Sequence, residues 1–90
     1  MTDIEATIRK IMIERLGVDP AVVNASGLNT PLLGHGISLD SVEALQLVVG
    51  LEQAFDLEIP DEDLDIELFQ SIASLTRYLE QRLKTRAGDG

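Results

Sequence analysis

The sequence predicts an all-α fold of three substantial helices and one minor one, with a long loop after the first. Three observations predict it. Apolar residues recur at steps of three and four within residues 4–16, 40–55 and 71–83, the spacing of a single helical face. No stretch alternates apolar and polar residues for long enough to make a dependable strand. Apart from Gly50, glycine and proline fall between the periodic segments, where they punctuate helices rather than interrupt them.

The first helix opens on Thr2-Asp3-Ile4-Glu5, whose spacing lets the Thr2 hydroxyl and the Glu5 carboxylate satisfy opposed backbone donors as a capping box. Ile4, Ile8, Ile11, Met12 and Leu16 then form one apolar stripe. Gly17 follows as the stop, because glycine tolerates the left-handed turn that closes many helices. From Val18 to Leu39 the periodicity dissolves among Pro20, Asn24, Ser26, Gly27, Asn29, Pro31, Gly34 and Gly36. A loop of that length is uncommon in a compact domain unless it is functional or partly structured. Val22, Val23, Leu28, Leu32 and Leu33 are expected to pack it across the helices.

The second helix begins at Asp40, which can cap the first turn, and Glu43 completes an Asp-x-x-Glu capping box. It is expected to run to Phe55, about 22 Å. Two apolar stripes lie on it. Ala44, Leu47, Val48, Leu51 and Phe55 form a broad one for the core, and Val42, Leu45 and Val49 form a narrower one on another flank. A second stripe implies deep burial or a partner. Gly50 is out of place in a helix interior, where it costs about 1 kcal/mol relative to alanine, and close approach of another backbone is the expected compensation. Pro60 ends helical geometry after Phe55, a short helical turn is expected within residues 62–69, and Ser71 caps a last helix carrying Ile72, Leu75, Tyr78, Leu79 and Leu83. Residues 1–86 read as one domain and 87–90 as a frayed tail.

Composition narrows the function. Ninety residues allow one modest core and leave little room for a deep, preorganised active site. Phe55, Phe69 and Tyr78 are the only aromatics, so the core is aliphatic, and there is no cysteine for a disulfide or a thiolate metal site. The N-terminus has no basic n-region and no apolar run reaches membrane-spanning length, so a soluble cytoplasmic monomer is expected, without membrane insertion. The net charge is -9, and no Lys or Arg occurs between Arg15 and Arg77. That acidic middle repels nucleic acid and attracts basic protein patches.

Candidate chemistry concentrates on one hydroxyl. Ser41, His35 and Asp40 do not make a triad: Asp40 and Ser41 are adjacent, and Gly36-Ile37-Ser38-Leu39-Asp40 lacks the second glycine of a nucleophile elbow. Asp61, Asp63 and Asp65 have the opening spacing of a calcium loop, but Ile66 and Ile72 stand where glycine and a bidentate glutamate are required, so no dedicated metal site is expected. Ser41 differs from an ordinary first-turn serine. With Asp40 as the cap, its hydroxyl is left facing solvent at the positive end of a helix, where a phosphate ester would be stabilised.

The string Gly36-Ile37-Ser38-Leu39-Asp40-Ser41-Val42, together with Glu43, Leu47, Leu51-Glu52, Phe55 and Leu57-Glu58-Ile59-Pro60-Asp61-Glu62-Asp63, resembles the acyl carrier protein family over nearly the whole chain. The resemblance implies a small four-helix bundle with a long first loop that can shelter an acyl chain, and no catalytic residues. It implies 4'-phosphopantetheine from coenzyme A on Ser41, attached by a phosphopantetheinyl transferase using magnesium, with Asp40 as the motif residue beside it. Acyl groups carried as thioesters would pass to ligases, transferases and synthases of fatty acid, lipid or polyketide-type biosynthesis. Such partners would bring basic patches to a docking face of Val42, Glu43, Leu45, Val49 and Glu52. Val42, Gln46, Gly50 and His35 depart from the commonest pattern and point to a specialised carrier. An aminoacyl or peptidyl carrier, or an unmodified acidic helical interaction module, is the alternative.

Overall fold

Ile8 and Met12 are completely buried on one face of α1 (Asp3–Glu14), with Ile4, Ile11, Ile13 and Leu16 packed beside them. These positions are those of the predicted stripe, plus Ile13. A computed structural model describes residues 3–33, 37 and 39–89, with side chains as far as Thr85. The Thr2 half of the first capping box lies outside the described residues, as do His35, Gly36 and Ser38 of the approach to the second long helix. Gly17 closes α1 in the left-handed region, φ +73°, while the N–H groups of Leu16 and Val18 reach the Ile11 and Met12 carbonyls.

The segment read as a continuous loop contains a short helix, α2 (Pro20–Ala25). Asp19 caps it by accepting from the Ala21 N–H at 2.9 Å, and Pro20 occupies the first turn, where its missing N–H costs nothing. Val23 is fully buried beneath it. Arg9 of α1 is paired with Glu5 at 3.0 Å and also donates to the Val23 carbonyl, so it ties α2 to α1.

The rest of the connection is stitched to other elements by its backbone. Ala73 N–H donates to the Leu28 carbonyl at 2.9 Å, and Pro31 pairs with Ser71. Ile37 and Leu39 then donate to the Pro31 and Leu32 carbonyls at 3.1 and 2.7 Å. Leu32, Ile37 and Leu39 are buried and Leu33 packs partly against the core, but Val22 and Leu28, expected to pack with Val23, Leu32 and Leu33, are exposed.

Leu39 delivers the chain to α3 (Ser41–Phe55). Both halves of the predicted capping box form: Asp40 Oδ1 accepts from the Glu43 N–H at 2.7 Å, and Glu43 Oε1 accepts from the Asp40 N–H at 3.0 Å. Ala44, Leu47, Val48 and Leu51 are buried, and Phe55 packs partly against the same core. Gly50 is explained differently from expectation. A Cβ there would stand 2.8 Å from Ile11 Cγ2 and 3.0 Å from Arg15 Cδ, so it is side chains of α1 and of the residue that follows it, not a backbone, that occupy the missing space. Asp56 ends the helix at φ 52°, and Leu57 N–H closes back onto the Glu52 carbonyl at 3.1 Å.

The expected short helical turn is two single turns of 3-10 helix, Asp61–Asp63 and Leu68–Gln70. Ser71 then caps α4 (Ile72–Asp89) by accepting from the Ser74 N–H at 3.2 Å, while Ser74 Oγ accepts from the Ser71 N–H at 3.0 Å. The α4 backbone continues through Asp89, into the stretch assigned to a tail. Ile72, Leu75 and Leu79 face the core, where α4 meets α1 and the Leu68–Gln70 turn.

Thr76 is buried on α4, and its hydroxyl has no hydrogen-bond partner among the described residues. An orphaned buried hydroxyl costs about 1–3 kcal/mol. Thr76→Val, which keeps the branched shape, is expected to stabilise the fold by about 1 kcal/mol, raising Tm by roughly 4–8 °C in a domain of this size. At the other sign, Asp40→Ala removes the α3 cap and is expected to lower unfolding free energy by about 1 kcal/mol. Asp40→Asn, which can still accept the Glu43 N–H, should retain most of it. Urea denaturation of the unmodified protein measures all three.

Candidate functional site

Ser41 occupies the first position of α3 and is exposed. Its placement follows from what its neighbours do. Leu39 is pulled into the core, Asp40 turns its carboxylate onto the Glu43 N–H, and the Ser41 hydroxyl is left over, with no hydrogen bond among the described residues. The cap claims only one of the first donors of the helix, so the N–H groups of Ser41 and Val42 remain at its positive end.

Beside the serine lies a groove of about 650 Å³ between the start of α3 and the segment that joins the two 3-10 turns. Leu33, Leu39, Ala44 and Leu45 line it together with Leu64, Ile66 and Phe69, and Asp40, Ser41 and Asp65 are its polar lining. A mainly apolar lining with polar groups on one side suits a ligand with a polar head and an aliphatic body. Sequence periodicity did not assemble this groove, because its walls come from three separated segments. Leu64 and Ile66 inside the acidic run 61–67 were the available signal. Ile66, 81% exposed, has the largest exposure among the large hydrophobic side chains described.

The second stripe of α3 faces outward as expected: Val42 is 67% exposed, Leu45 57% and Val49 37%. Two acids of the predicted docking face also have internal tasks. Glu43 completes the cap, and Glu52 Oε2 accepts from the Ile59 N–H at 2.8 Å, which holds the chain as it leaves α3. Both are half-buried.

Two of the three aspartates with calcium-like spacing accept hydrogen bonds within the fold. Asp65 Oδ1 accepts from the Leu68 N–H at 2.9 Å, and Asp63 Oδ2 accepts from the Tyr78 hydroxyl at 2.6 Å. Arg82 completes this cluster: Nη1 donates to the Tyr78 oxygen at 2.6 Å, Nη2 donates to the Glu58 carbonyl at 2.7 Å, and the guanidinium carbon lies 5.7 Å from the centre of the tyrosine ring. Burial, followed by the hydrogen bond to Asp63, pushes the Tyr78 phenol above its ordinary value of 10.0, so it is a protonated donor at neutral pH. Among the described residues no group of three or more His, Asp or Glu could hold a metal ion, and no helix is long and apolar enough to cross a membrane.

Residues 6–79 match the family described as phosphopantetheine attachment site. The chain is 38% identical over 81 residues to an acyl carrier protein of Bdellovibrio bacteriovorus, covering 90% of this chain and 96% of that protein. An acyl carrier protein of Akkermansia muciniphila is 36% identical over 78 residues, covering 87% and 90%. Two solved structures share the fold. One is the solution structure of a holo acyl carrier protein from Nitrosomonas europaea, at TM-score 0.75 and 27% identity, covering 93% of this chain and 99% of that one. The other is a chain in the crystal structure of an engineered Bradyrhizobium japonicum glycine:[carrier protein] ligase complexed with carrier protein from Agrobacterium tumefaciens and ATP, at TM-score 0.73 and 33% identity, covering 87% and 97%. The chain belongs to the phosphopantetheine attachment site family and is an acyl carrier rather than an enzyme, bearing 4'-phosphopantetheine as its covalent group.

Proposed function

We propose that Ser41 is the attachment point and that this protein, as a cytoplasmic monomer, delivers acyl thioesters to enzymes of fatty acid, lipid or polyketide-type biosynthesis. The observation that supports this best is the exposed Ser41 hydroxyl, without a hydrogen bond among the described residues, in the lining of an apolar groove, with its helix already capped by Asp40. The residues present fit the group. In transfer from coenzyme A, Ser41 Oγ would bond to the phosphorus of the phosphopantetheine half as the pyrophosphate P–O bond breaks, with adenosine 3',5'-bisphosphate leaving and the hydroxyl proton passing to the transferase. Ser41 and Val42 N–H groups favour the phosphodiester through the helix dipole. Bound there, the group supplies a thiol that holds the acyl chain as a thioester. Leu64, Ile66, Ala44 and Phe69 keep the first carbons of that chain from water.

Val42, Leu45 and Val49 form the apolar centre of the docking face, with Glu43 and Glu52 at its edges and Ile66 extending it across the groove. A basic partner patch meets the acidic belt first and the apolar stripe second, an order that sets on-rate by charge and residence by burial.

A second reading, an aminoacyl or peptidyl carrier, is favoured by the likeness to the ligase complex with its carrier protein. Loading by amino acid:carrier ligases against fatty acyl ligases separates the two.

Incubation with coenzyme A, magnesium and a broad-specificity phosphopantetheinyl transferase is expected to raise the intact mass by one phosphopantetheine, and Ser41→Ala to abolish the gain. An unchanged mass with a transferase active on another carrier would remove Ser41 as the site. Steering by the acidic belt predicts a salt effect as well. Between about 0.01 and 0.15 M ionic strength the Debye length falls from roughly 30 to 8 Å, and kcat/KM of the transferase for this carrier is expected to drop about tenfold. Flat kinetics over that range would show that docking is not charge-steered.

A further inference from the structure

One side of the groove is weakly held by the core. Between Ile59 and Leu68, both buried, no residue is fully buried. Residues 60–67 therefore bridge two anchors with only Leu64 and Asp63 half-covered in the middle. This bridge carries Leu64 and Ile66, the outer wall of the groove beside Ser41. Its internal bonds are short-range: Asp63 to the Pro60 carbonyl, Leu64 to the Asp61 carbonyl, and Leu68 N–H to the Asp65 carboxylate. None of these ties the middle of the bridge to a helix.

The Tyr78 cluster does. Tyr78 and Arg82 lie one turn apart on α4, and the phenol donates to Asp63, the residue immediately before Leu64. Arg82 donates to the phenol oxygen and to the Glu58 carbonyl, so two α4 side chains hold both the entry and the middle of the bridge. Its guanidinium also lies 3.8 Å from Asp63.

We infer that Asp63, Tyr78 and Arg82 form a latch that sets how far the Leu64–Ile66 wall opens, and so how well an acyl chain beside Ser41 is sheltered. Tyr78 and Arg82 are positioning residues: they bond the Asp63 carboxylate and the Glu58 carbonyl and act on the cargo only through Leu64 and Ile66. The inference rests on the proposed sheltering of cargo in this groove. With the latch intact, Asp63 is held to α4 and the Leu64–Ile66 wall keeps its place along the open groove. When the phenol bond is lost, residues 60–67 remain covalently anchored at Ile59 and Leu68 but swing more freely between them, because a hydrogen bond to a charged carboxylate is the strongest tie in the middle of the span.

The test uses the full-length carrier with Tyr78→Phe, which keeps the ring and removes the hydroxyl, and the double variant Tyr78→Phe/Thr76→Val, which offsets any loss of global stability. Octanoyl and acetyl thioesters of the holo protein are cleaved with hydroxylamine, each rate being divided by that of the same thioester on free pantetheine. Amide hydrogen exchange of residues 63–68 is followed in the unloaded protein. Octanoyl is expected to be protected in the wild type relative to acetyl. Tyr78→Phe should speed octanoyl cleavage about three- to tenfold, the scale of one partly exposed charge-assisted hydrogen bond, leave acetyl unchanged, and accelerate exchange at 63–68. The double variant should behave like Tyr78→Phe. If Tyr78→Phe protects octanoyl as well as the wild type does, or if Thr76→Val restores both readouts, the latch is overturned while sheltering stands. If the wild type itself does not protect octanoyl, sheltering in this groove fails, and the latch's role in it fails too.

Discussion

Helix α3 has two apolar faces and the fold can cover only one of them. Ala44, Leu47, Val48 and Leu51 close the core against α1 and its neighbours, whereas Val42, Leu45 and Val49 face water. In a domain this small there is no second layer to cover the outer stripe. Most of the remaining architecture accommodates that division. Gly50 lets Ile11 of α1 and Arg15 just beyond it settle against α3, and the segment 60–67 passes beside the other flank without sealing it, which leaves the groove.

The same division decides where a reactive hydroxyl can stand. A helix start exposes donors, and the chain must satisfy them without using the functional side chain. Asp40 and Glu43 do this reciprocally. Leu39, buried and bonded to the Leu32 carbonyl, fixes where the helix begins. Ser41 is thus placed by its backbone with no hydrogen bond to its oxygen among the described residues, which suits the attachment proposed for it. Pairing of Pro31 with Ser71 and of Ala73 with Leu28 carries the same restraint back to α4. The start of the functional helix is therefore braced by the start of the last one.

Local rules made much of this legible. Caps and stripes are encoded within a few residues, so the Asp40–Glu43 box, the Gly17 stop, the Ser71 cap and the two faces of α3 could be read directly. The α2 helix escaped because six residues are too few for a periodic pattern, although Asp19-Pro20 is a cap followed by a first-turn proline. Gly50 was correctly read as a close approach, but its neighbour could not be identified, since side-chain and backbone crowding leave the same mark in a sequence. Glu52 illustrates the opposite limit. Its place on the helix surface is local information, while its bond to Ile59 depends on how the chain turns after Asp56. The Tyr78 cluster joins residues as far apart as 58 and 82, and no spacing rule reaches that far.

The acidic belt has two tasks that respond oppositely to salt. Glu43, Glu52, Asp63 and Asp65 each accept a hydrogen bond at 3.0 Å or less from a backbone N–H or a phenol. Contacts that short are little affected by mobile ions. The same acids belong to the belt whose field extends outward from the chain. That field repels itself as well, because no Lys or Arg interrupts it from Arg15 to Arg77. Added salt therefore relaxes the repulsion within the folded carrier while it would weaken the proposed attraction to a basic partner. On that proposal, docking is tuned by ionic strength without loosening the cap at the start of α3, because the two act over different distances.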